Sequence, residues 1–392
     1  MAKINRFAEM LPEITAWRRD LHENPELGFD CFRTAGVVAE KLKAFGVDDV
    51  QTGIGRTGVV GVIRGKSTRS GKVIGLRADM DALPMLETTG ADHASKISGK
   101  MHACGHDGHT AMLLGAAKYL AETRNFDGTL VVIFQPAEEE GGGGKEMVDD
   151  GLMERFGIQE VYGMHNKPGL EVGAFSMCSG PLMASADDFT LHVEGKGGHA
   201  AHPSDCIDTT LVAAQIVVAL QSIVARNSNP LEGVVVSVTS FVTESTAFNV
   251  IPQHVEIRGT VRTLDEATRK SAKAAVERIC KGTAAAFGAH VKIDYLLGYP
   301  VTINHPSQTA FAAEVARNVS GDSRVVVDMP PEMGSEDFSY MLEARPGAFV
   351  FVGNGESAAW HHSDYDFNDE LIPAGCSYWA QIAEQRMPAS GV

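Results

Sequence analysis

The chain has 392 residues, of which 44% are hydrophobic and 21% are charged, a composition typical of a globular protein with a sizeable core. Its 34 Lys and Arg against 50 Asp and Glu give a formal net charge of −16. This charge disfavours a partner that is a nucleic acid or an anionic membrane, since both are bound through basic surfaces.

The sequence contains no run of about 18 apolar residues, so it predicts no membrane-spanning helix. Residues 1–19 mix charged and apolar side chains and lack the pattern of a signal peptide. We therefore expect a cytoplasmic protein that is not embedded in a membrane.

Strands and helices alternate in the first part of the chain. Apolar residues at helical spacing predict helices over 14–23, 34–45 and 109–122, with Thr34 as an N-cap. Short β-branched runs predict strands over 59–64, 72–77, 128–134 and 160–164. The alternation of strands and helices predicts an α/β domain.

The pattern changes near residue 184. Two long helices (208–226 and 266–287) and four strands (189–194, 233–239, 255–264 and 290–296) predict a smaller α+β unit. After Pro300 the α/β pattern resumes, with a helix over 308–319 and a strand over 348–352. We predict one discontinuous domain, residues 1–183 and 300–392, interrupted by a domain inserted at 184–299.

Residues 101–109 hold three His, one Cys and one Asp directly before a helix. Cys104 and His106 are one residue apart in a loop with glycine, so both side chains can reach one ion. Thiolate and imidazole suit Zn, Co, Ni or Fe, and imidazole with carboxylate also suits Mn. A polar loop that caps the helix and buries a cysteine remains an alternative.

Further candidate ligands follow predicted strands. Glu138 and Glu139 come after Pro136, which ends a buried strand, so both can face one site. His165 lies at the end of the next strand, where ligands of α/β sheets gather, and His361 lies near the C-terminus. Each pattern alone is also compatible with a solvated charge run or a structural histidine.

The motifs taken together are more specific. This series of motifs closely resembles the M20 metallopeptidase family, in its branch of aminoacylases, hippurate hydrolases and auxin-conjugate amidohydrolases, from about residue 14 to 385. In chain order they are WRRDLHENPEL at 17–27, MHACGHDGHT at 101–110, QPAEEEG at 135–141, YGMH at 162–165, GKGGHAA at 195–201, MGSEDF at 333–338 and HHSDYDFND at 361–369.

The resemblance implies a catalytic α/β domain with a mixed sheet flanked by helices, an inserted satellite domain for dimerisation, and two divalent metal ions (Mn, Zn, Co or Ni) per chain. Five ligands are too many for one tetrahedral ion but suit two ions with a shared ligand. The family's pattern implies Cys104 as the bridge, with His106 and His165 on one ion and Glu139 and His361 on the other. His361 is chosen over His362 because it lies seven residues before Asn368.

The resemblance also implies roles beside the metals. Glu138 corresponds to the general base, which takes a proton from a metal-activated water and passes it to the leaving amine. Asp81 is expected to orient the site, and Asp79 to support the ligands without binding metal. Capping of the strand end is the alternative for both aspartates.

Three residues of the inserted domain complete the expected site. The resemblance implies that His199 reaches the active site of a second subunit and stabilises the developing oxyanion. Asn249 and Arg258, or Arg262 in its place, are candidates for binding the substrate carboxylate. We therefore expect a homodimer, or a tetramer built from it.

The predicted activity is hydrolysis of the amide bond of N-acyl amino acids, such as N-acetyl or N-benzoyl derivatives. A dipeptidase or carboxypeptidase of the same family is the closest alternative. A metal-bound protein without catalytic activity is a third, and the presence of Glu138 and of all five ligand types speaks against it.

Overall fold

The computed structural model describes residues 4–389. The first elements in chain order are the helices α1 (Asn5–Glu23), α2 (Phe32–Ala44), α3 (His106–Thr123), α4 (Gly143–Asp149) and α5 (Leu152–Arg155), and the strands β1 (Asp49–Ile54), β2 (Gly58–Arg64), β3 (Val73–Asp79), β4 (Thr129–Gln135), β5 (Glu160–Pro168), β6 (Phe175–Ser176) and β7 (Gly180–Met183).

The remaining elements include four long helices and several long strands. They are β8 (Ser185–Glu194), β9 (Gly198–His199), α6 (Thr209–Ser222), β10 (Val234–Thr243), β11 (Val250–Ile251), β12 (His254–Thr263), α7 (Glu266–Ala286), β13 (His290–Leu297), β14 (Thr302–Asn304), α8 (Pro306–Ser320), β15 (Val325–Val326), α9 (Ser339–Ala344), β16 (Gly347–Gly355) and α10 (Ile372–Arg386).

The chain divides into two compact units. The first contains the residues up to Leu182, Ile303–Pro330 and the residues from Asp337 onward, and the second contains Met183–Thr302 and Pro331–Glu336. The sequence pattern predicts residues 331–336 in the first domain, whereas their contacts group them with the second unit. The predicted fold class, an α/β domain with a smaller inserted α+β domain, is confirmed. The division of roles between the domains stays a prediction.

The first unit is built around an eight-stranded mixed sheet in the order β1-β2-β4-β3-β5-β16-β6-β15. Its central strands β4, β3, β5 and β16 run parallel to one another. They are almost completely buried, as expected of parallel strands covered on both faces. Because they are parallel, their carboxyl ends meet at one edge of the sheet, where a ligand site forms in α/β folds.

Several element boundaries differ from the prediction. Helix α3 begins at His106 rather than at 109, because Gly105 turns the chain at φ +94° immediately before it. Helix α2 begins two residues before Thr34, so Thr34 is not its N-cap. Strand β5 continues to Pro168, which places His165 inside the strand. Strand β1 and helix α10 were not predicted at all.

The second unit is an antiparallel sheet in the order β10-β12-β8-β13, with α6 and α7 packed on one face. Alternate residues of β8, among them Phe189, Leu191 and Val193, are buried beneath the helices. Asp208 and Asp265 accept hydrogen bonds from the first backbone N–H groups of α6 and α7, and such caps fix where a helix begins.

Helix α6 and the π-helical turn after it, Thr209–Asn227, are long and apolar enough to cross a membrane by length and composition. Gln215 and Gln221 interrupt this stretch, so it is not a continuous run of about 18 apolar residues. Val212, Ile216 and Leu220 of the helix lie in the core of the second unit, as in a packed helix of a globular domain. Leu211 and Val218 are 49% and 67% exposed, so the helix is apolar on more than one face.

Candidate metal centre

The candidate ligands lie at the carboxyl edge of the central sheet. β4 ends at Gln135, and Pro136 stops it; Ala137, at φ +55°, then turns the chain so that Glu138 and Glu139 follow at once. A left-handed conformation is rare for a residue other than glycine and marks a constrained backbone. His165 of β5 and the start of α3 lie at the same edge of the sheet.

The first group of donors consists of Cys104, His106 and His165. Their ligand atoms lie within 4.8 Å of one another, and Cys104 Sγ is 3.3 Å from His165 Nε2. His106 Nδ1 donates to the carbonyl of Asp81 at 2.9 Å, and His165 Nδ1 donates to that of Asn166 at 2.7 Å. Both bonds place a ring proton on Nδ1 and leave Nε2 as the nitrogen that faces the other donors, which is the arrangement of a metal-binding histidine.

The second group consists of Cys104, Glu139 and His361, again within 4.8 Å. His361 Nε2 lies 3.4 Å from a carboxylate oxygen of Glu139. Cys104 belongs to both groups, in agreement with the bridging position expected for it, although its role as a bridge stays a prediction. The neighbouring His362 is 56% exposed and accepts a bond from the backbone of Asp364 instead.

The electrostatics of the cluster suit a divalent cation. Burial lowers the pKa of His106, but the carboxylates of Asp79 and Asp81 outweigh it and raise that pKa to about 10. Burial and the Glu139 carboxylate hold the pKa of Cys104 well above its ordinary value. Burial and His109 keep the pKa of His165 well below its ordinary value. The negative potential that holds a proton on His106 would equally attract a cation.

Two buried atoms of the cluster are left over in the hydrogen-bond network. Within residues 4–389, His106 Nε2 and Glu139 Oε1 have no hydrogen-bond partner. Buried polar atoms are almost always satisfied, and imidazole, carboxylate and thiolate are together a donor set for divalent transition metals. The residues therefore fit the metal ions that the family resemblance implies.

Glu138 lies beside both groups and is 7% exposed. Its carboxylate lies within 4.8 Å of ligand atoms of His106 and Glu139. The Asp81 carboxylate accepts the backbone N–H groups of Glu138 and Glu139 at 2.9 and 3.1 Å. Asp81 thus fixes the turn that presents both glutamates and, through its carbonyl, orients His106.

Asp79 is engaged by other residues. It accepts hydrogen bonds from Arg77 at 2.7 Å and from His109 Nδ1 at 2.6 Å, and its pKa is lowered, since the cations His106 and Arg77 outweigh its burial. The sequence did not single out His109 or Asn166, whose backbone N–H donates to His109 Nε2. The signal for His109 was its position three residues after His106, on the same face of a helix.

Four candidate residues, His199, Asn249, Arg258 and Arg262, lie in the second unit. His199 on β9 pairs with Val250 on β11, and the Ala200 N–H donates to the carbonyl of Asn249, so His199 and Asn249 are neighbours. Arg258 is 63% exposed and paired with Glu256, a contact that gives no support for a substrate role. Arg262 donates to Ser335 Oγ at 3.0 Å.

A buried ionic network supports the first turn of α3. Arg18 and His22 of α1 are fully buried beside Asp107, which follows His106. His22 Nδ1 bonds Asp107 at 2.8 Å, and Nε2 bonds Glu87 at 3.3 Å. Burial lowers the pKa of His22, but Asp107 and Glu87 raise it to about 9. The network holds the segment that carries His106.

The raised pKa of His22 predicts a pH-dependent stability. A histidine whose folded pKa of about 9 exceeds its unfolded value near 6.5 stabilises the fold fully below about pH 6.5 and loses that stabilisation as pH rises towards 9. The shift corresponds to about 3 kcal/mol. Urea unfolding should show that the difference between wild type and His22→Gln shrinks between pH 6 and 9.5. The exposed His290 supplies the control, His290→Gln, for which a similar shrinkage would contradict the assignment.

A mixed α/β sheet with buried thiol, imidazole and carboxylate donors at its carboxyl edge, beside a buried glutamate, is the arrangement of a metal-dependent hydrolase. Residues 75–385 match the sequence profile of Peptidase family M20/M25/M40. The chain belongs to this family, as the motifs predicted, and it is a hydrolase.

Relatives and solved structures match over nearly the whole chain. A hippurate hydrolase of Campylobacter jejuni is 45% identical over 98% of this chain and 99% of its own. An N-acetylcysteine deacetylase of Bacillus subtilis is 39% identical over 93% and 94%. The crystal structure of a dinuclear metal-binding peptidase of the M20 family from Bacillus subtilis has a TM-score of 0.84 at 34% identity, covering 97% of this chain and 99% of that one.

Proposed function

We propose that the protein hydrolyses the amide bond of N-acyl amino acids, with Glu138 as general base and acid. The observation that carries the proposal is the position of Glu138, a buried carboxylate beside two donor groups that share Cys104. The names of the relatives, a hippurate hydrolase and an N-acetylcysteine deacetylase, support acylated amino acids as substrates.

The chemistry divides between the ions and the chain. Two divalent ions, held by Cys104, His106 and His165 and by Cys104, Glu139 and His361, would supply Lewis acidity and a water of lowered pKa. Glu138 accepts a proton from the attacking water and returns it to the amine nitrogen as the amide bond breaks. Because its backbone N–H is held by Asp81, Glu138 can do so without a large rearrangement.

A peptidase of the same reaction class is the second candidate, favoured by the name of the family. Both activities need the same ions and the same base. They differ in the group on the carbonyl side of the scissile amide, which is a simple acyl group in an N-acyl amino acid and an amino-acid residue with a free amine in a dipeptide. Assays of metal-reconstituted protein on N-acetyl- and N-benzoyl-amino acids, side by side with free-amine dipeptides, test the proposal. Faster turnover of the dipeptides would overturn it, and no turnover of either would favour a non-catalytic protein.

The metal ligands lead to a prediction about metal content. Cys104→Ala should reduce the bound metal below two ions per chain, because its thiolate belongs to both donor groups. Metal analysis checks this, and Cys178→Ala is the control because the Cys178 thiol donates to the carbonyl of Pro181 and belongs to neither donor group. Chelation should abolish activity, and added Mn, Co or Zn should restore it. Unchanged metal content in Cys104→Ala would exclude the bridging role.

We further propose that the second unit mediates a homodimer in which His199 serves the partner's active site. The exposed apolar residues of α6, such as Leu211 and Val218, support an interface on this unit. The outer strands β10 and β13 are open sheet edges, which pair readily in a two-fold contact. The cytoplasmic location expected from the sequence stays a prediction, as do the substrate contacts of Asn249 and Arg258.

A further inference from the structure

Trp360 immediately precedes His361, yet its side chain reaches the strand that carries His165. Its indole Nε1–H donates to the backbone carbonyl of Asn166 at 3.1 Å. The indole also lies edge-on to the His165 ring, with centroids 5.2 Å apart at 80°, and beside Phe351 at 6.1 Å. Trp360 therefore connects the loop that carries one candidate ligand to the strand that carries another.

The Asn166 carbonyl accepts two hydrogen bonds, which is the full capacity of its two lone pairs. One comes from His165 Nδ1 at 2.7 Å and fixes the tautomer of that ring. The other comes from Trp360. Loss of the indole N–H would leave the bond from His165 in place, so its effect should fall on the loop and not on His165.

The His361 loop needs such an anchor. His361 has φ +62° and a side chain that is 54% exposed, and a left-handed conformation of a residue with a side chain persists only where the surroundings impose it. Its backbone N–H donates to the carbonyl of Ala103 at 2.9 Å, and Thr88 binds the far side of the loop at Ser363. Trp360 joins this loop to the backbone at the end of β5 next to His361, while Tyr365, four residues after His361, accepts a hydrogen bond from the Asn166 side chain.

We propose that Trp360 is a positioning residue that holds His361 in place for one of the two metal ions, acting through the Asn166 carbonyl. The inference rests on the proposed role of His361 as a ligand. It assigns to Trp360 no contact with substrate or metal. The consequence concerns one ion alone. The affinity for the ion that His361 would bind depends on Trp360, whereas the affinity for the ion that His106 and His165 would bind does not.

The test starts from the metal-loaded protein. Trp360→Phe keeps an aromatic ring but removes the indole N–H. The protein is titrated with increasing chelator, and the number of metal ions retained per chain at each concentration gives the affinity of the protein for each ion. We expect one ion to be held about tenfold more weakly and the other to be unchanged, the scale of losing a group that orients a ligand. Trp17→Phe is the matched control, because Trp17 is also half-buried and packs on Phe45 away from the ligands.

A double-mutant comparison separates positioning from general destabilisation. In a His361→Ala background, Trp360→Phe should cause no further loss of metal, since its effect passes through His361. Equal weakening of both ions, no weakening, or a further loss in the His361→Ala background would each overturn the proposal. If Trp360→Phe does not fold, Trp360→Tyr, which also lacks the indole N–H, takes its place in the same comparison. Because the readout is metal retention without substrate, failure here is distinguishable from failure of the proposed activity.

Discussion

Glu138→Gln should keep both metal ions bound and lower turnover by about a hundredfold or more, the scale of general base catalysis. The amide has the shape of the carboxylate but cannot accept the proton of the attacking water. The backbone N–H of residue 138 would still donate to Asp81, so the turn that presents Glu139 should persist. Steady-state kinetics with metal analysis of the same samples measures both effects.

The chain offers a matched control for this variant. Glu140 stands two residues later in the same acidic run, and it is exposed. Glu140→Gln changes the charge of the loop by the same amount without removing the buried carboxylate, so its turnover should stay near that of wild type. Equal losses in the two variants would show that the loop charge matters, and near-normal turnover of Glu138→Gln would show that another group is the base.

The sequence was most informative where ligands are close along the chain. Cys104 and His106, and the pair Glu138 and Glu139, are set by local spacing at strand and helix ends, and the structure brings them together as that spacing suggested. The sequence also offered His165 and His361 as separate candidates, but only the family resemblance joined them to the other ligands, since no local pattern does so. Which of these residues meet depends on the order of the parallel strands in the sheet. The motifs do not give that order by themselves, and it was implied only by the family resemblance.

The supporting contacts could not be predicted because they join distant residues through backbone atoms or charge pairs. The Asp81 carboxylate holds backbone N–H groups 57 and 58 residues away, and no residue type marks a backbone donor in a sequence. The start of α3 at His106 depends on Gly105, where a Cβ would come within 2.4 Å of the Asn166 side chain. Such tertiary packing overrides the propensity that predicted a later start.

Mixing two inactive variants should restore activity if His199 acts across a dimer interface. Glu138→Gln chains and His199→Ala chains are combined under conditions that let subunits exchange. In a mixed dimer, one site has an intact Glu138 from one chain and an intact His199 from its partner. About a quarter of wild-type activity should return at equal mixing, since half the dimers are mixed and each holds one complete site that can stabilise the oxyanion.

The result discriminates because the two arrangements predict different numbers of complete sites. If His199 serves its own chain, each chain of the mixture lacks either Glu138 or His199, and activity stays at the level of the separate variants. The control replaces His199→Ala with His202→Ala, a change in the same loop whose ring lies 5.6 Å from that of His199. His202→Ala chains should be active alone, and recovery there would reflect their own turnover. Sedimentation of the separate variants must show dimers. A monomeric protein whose activity still depends on His199 would exclude a role of His199 in the active site of a partner subunit.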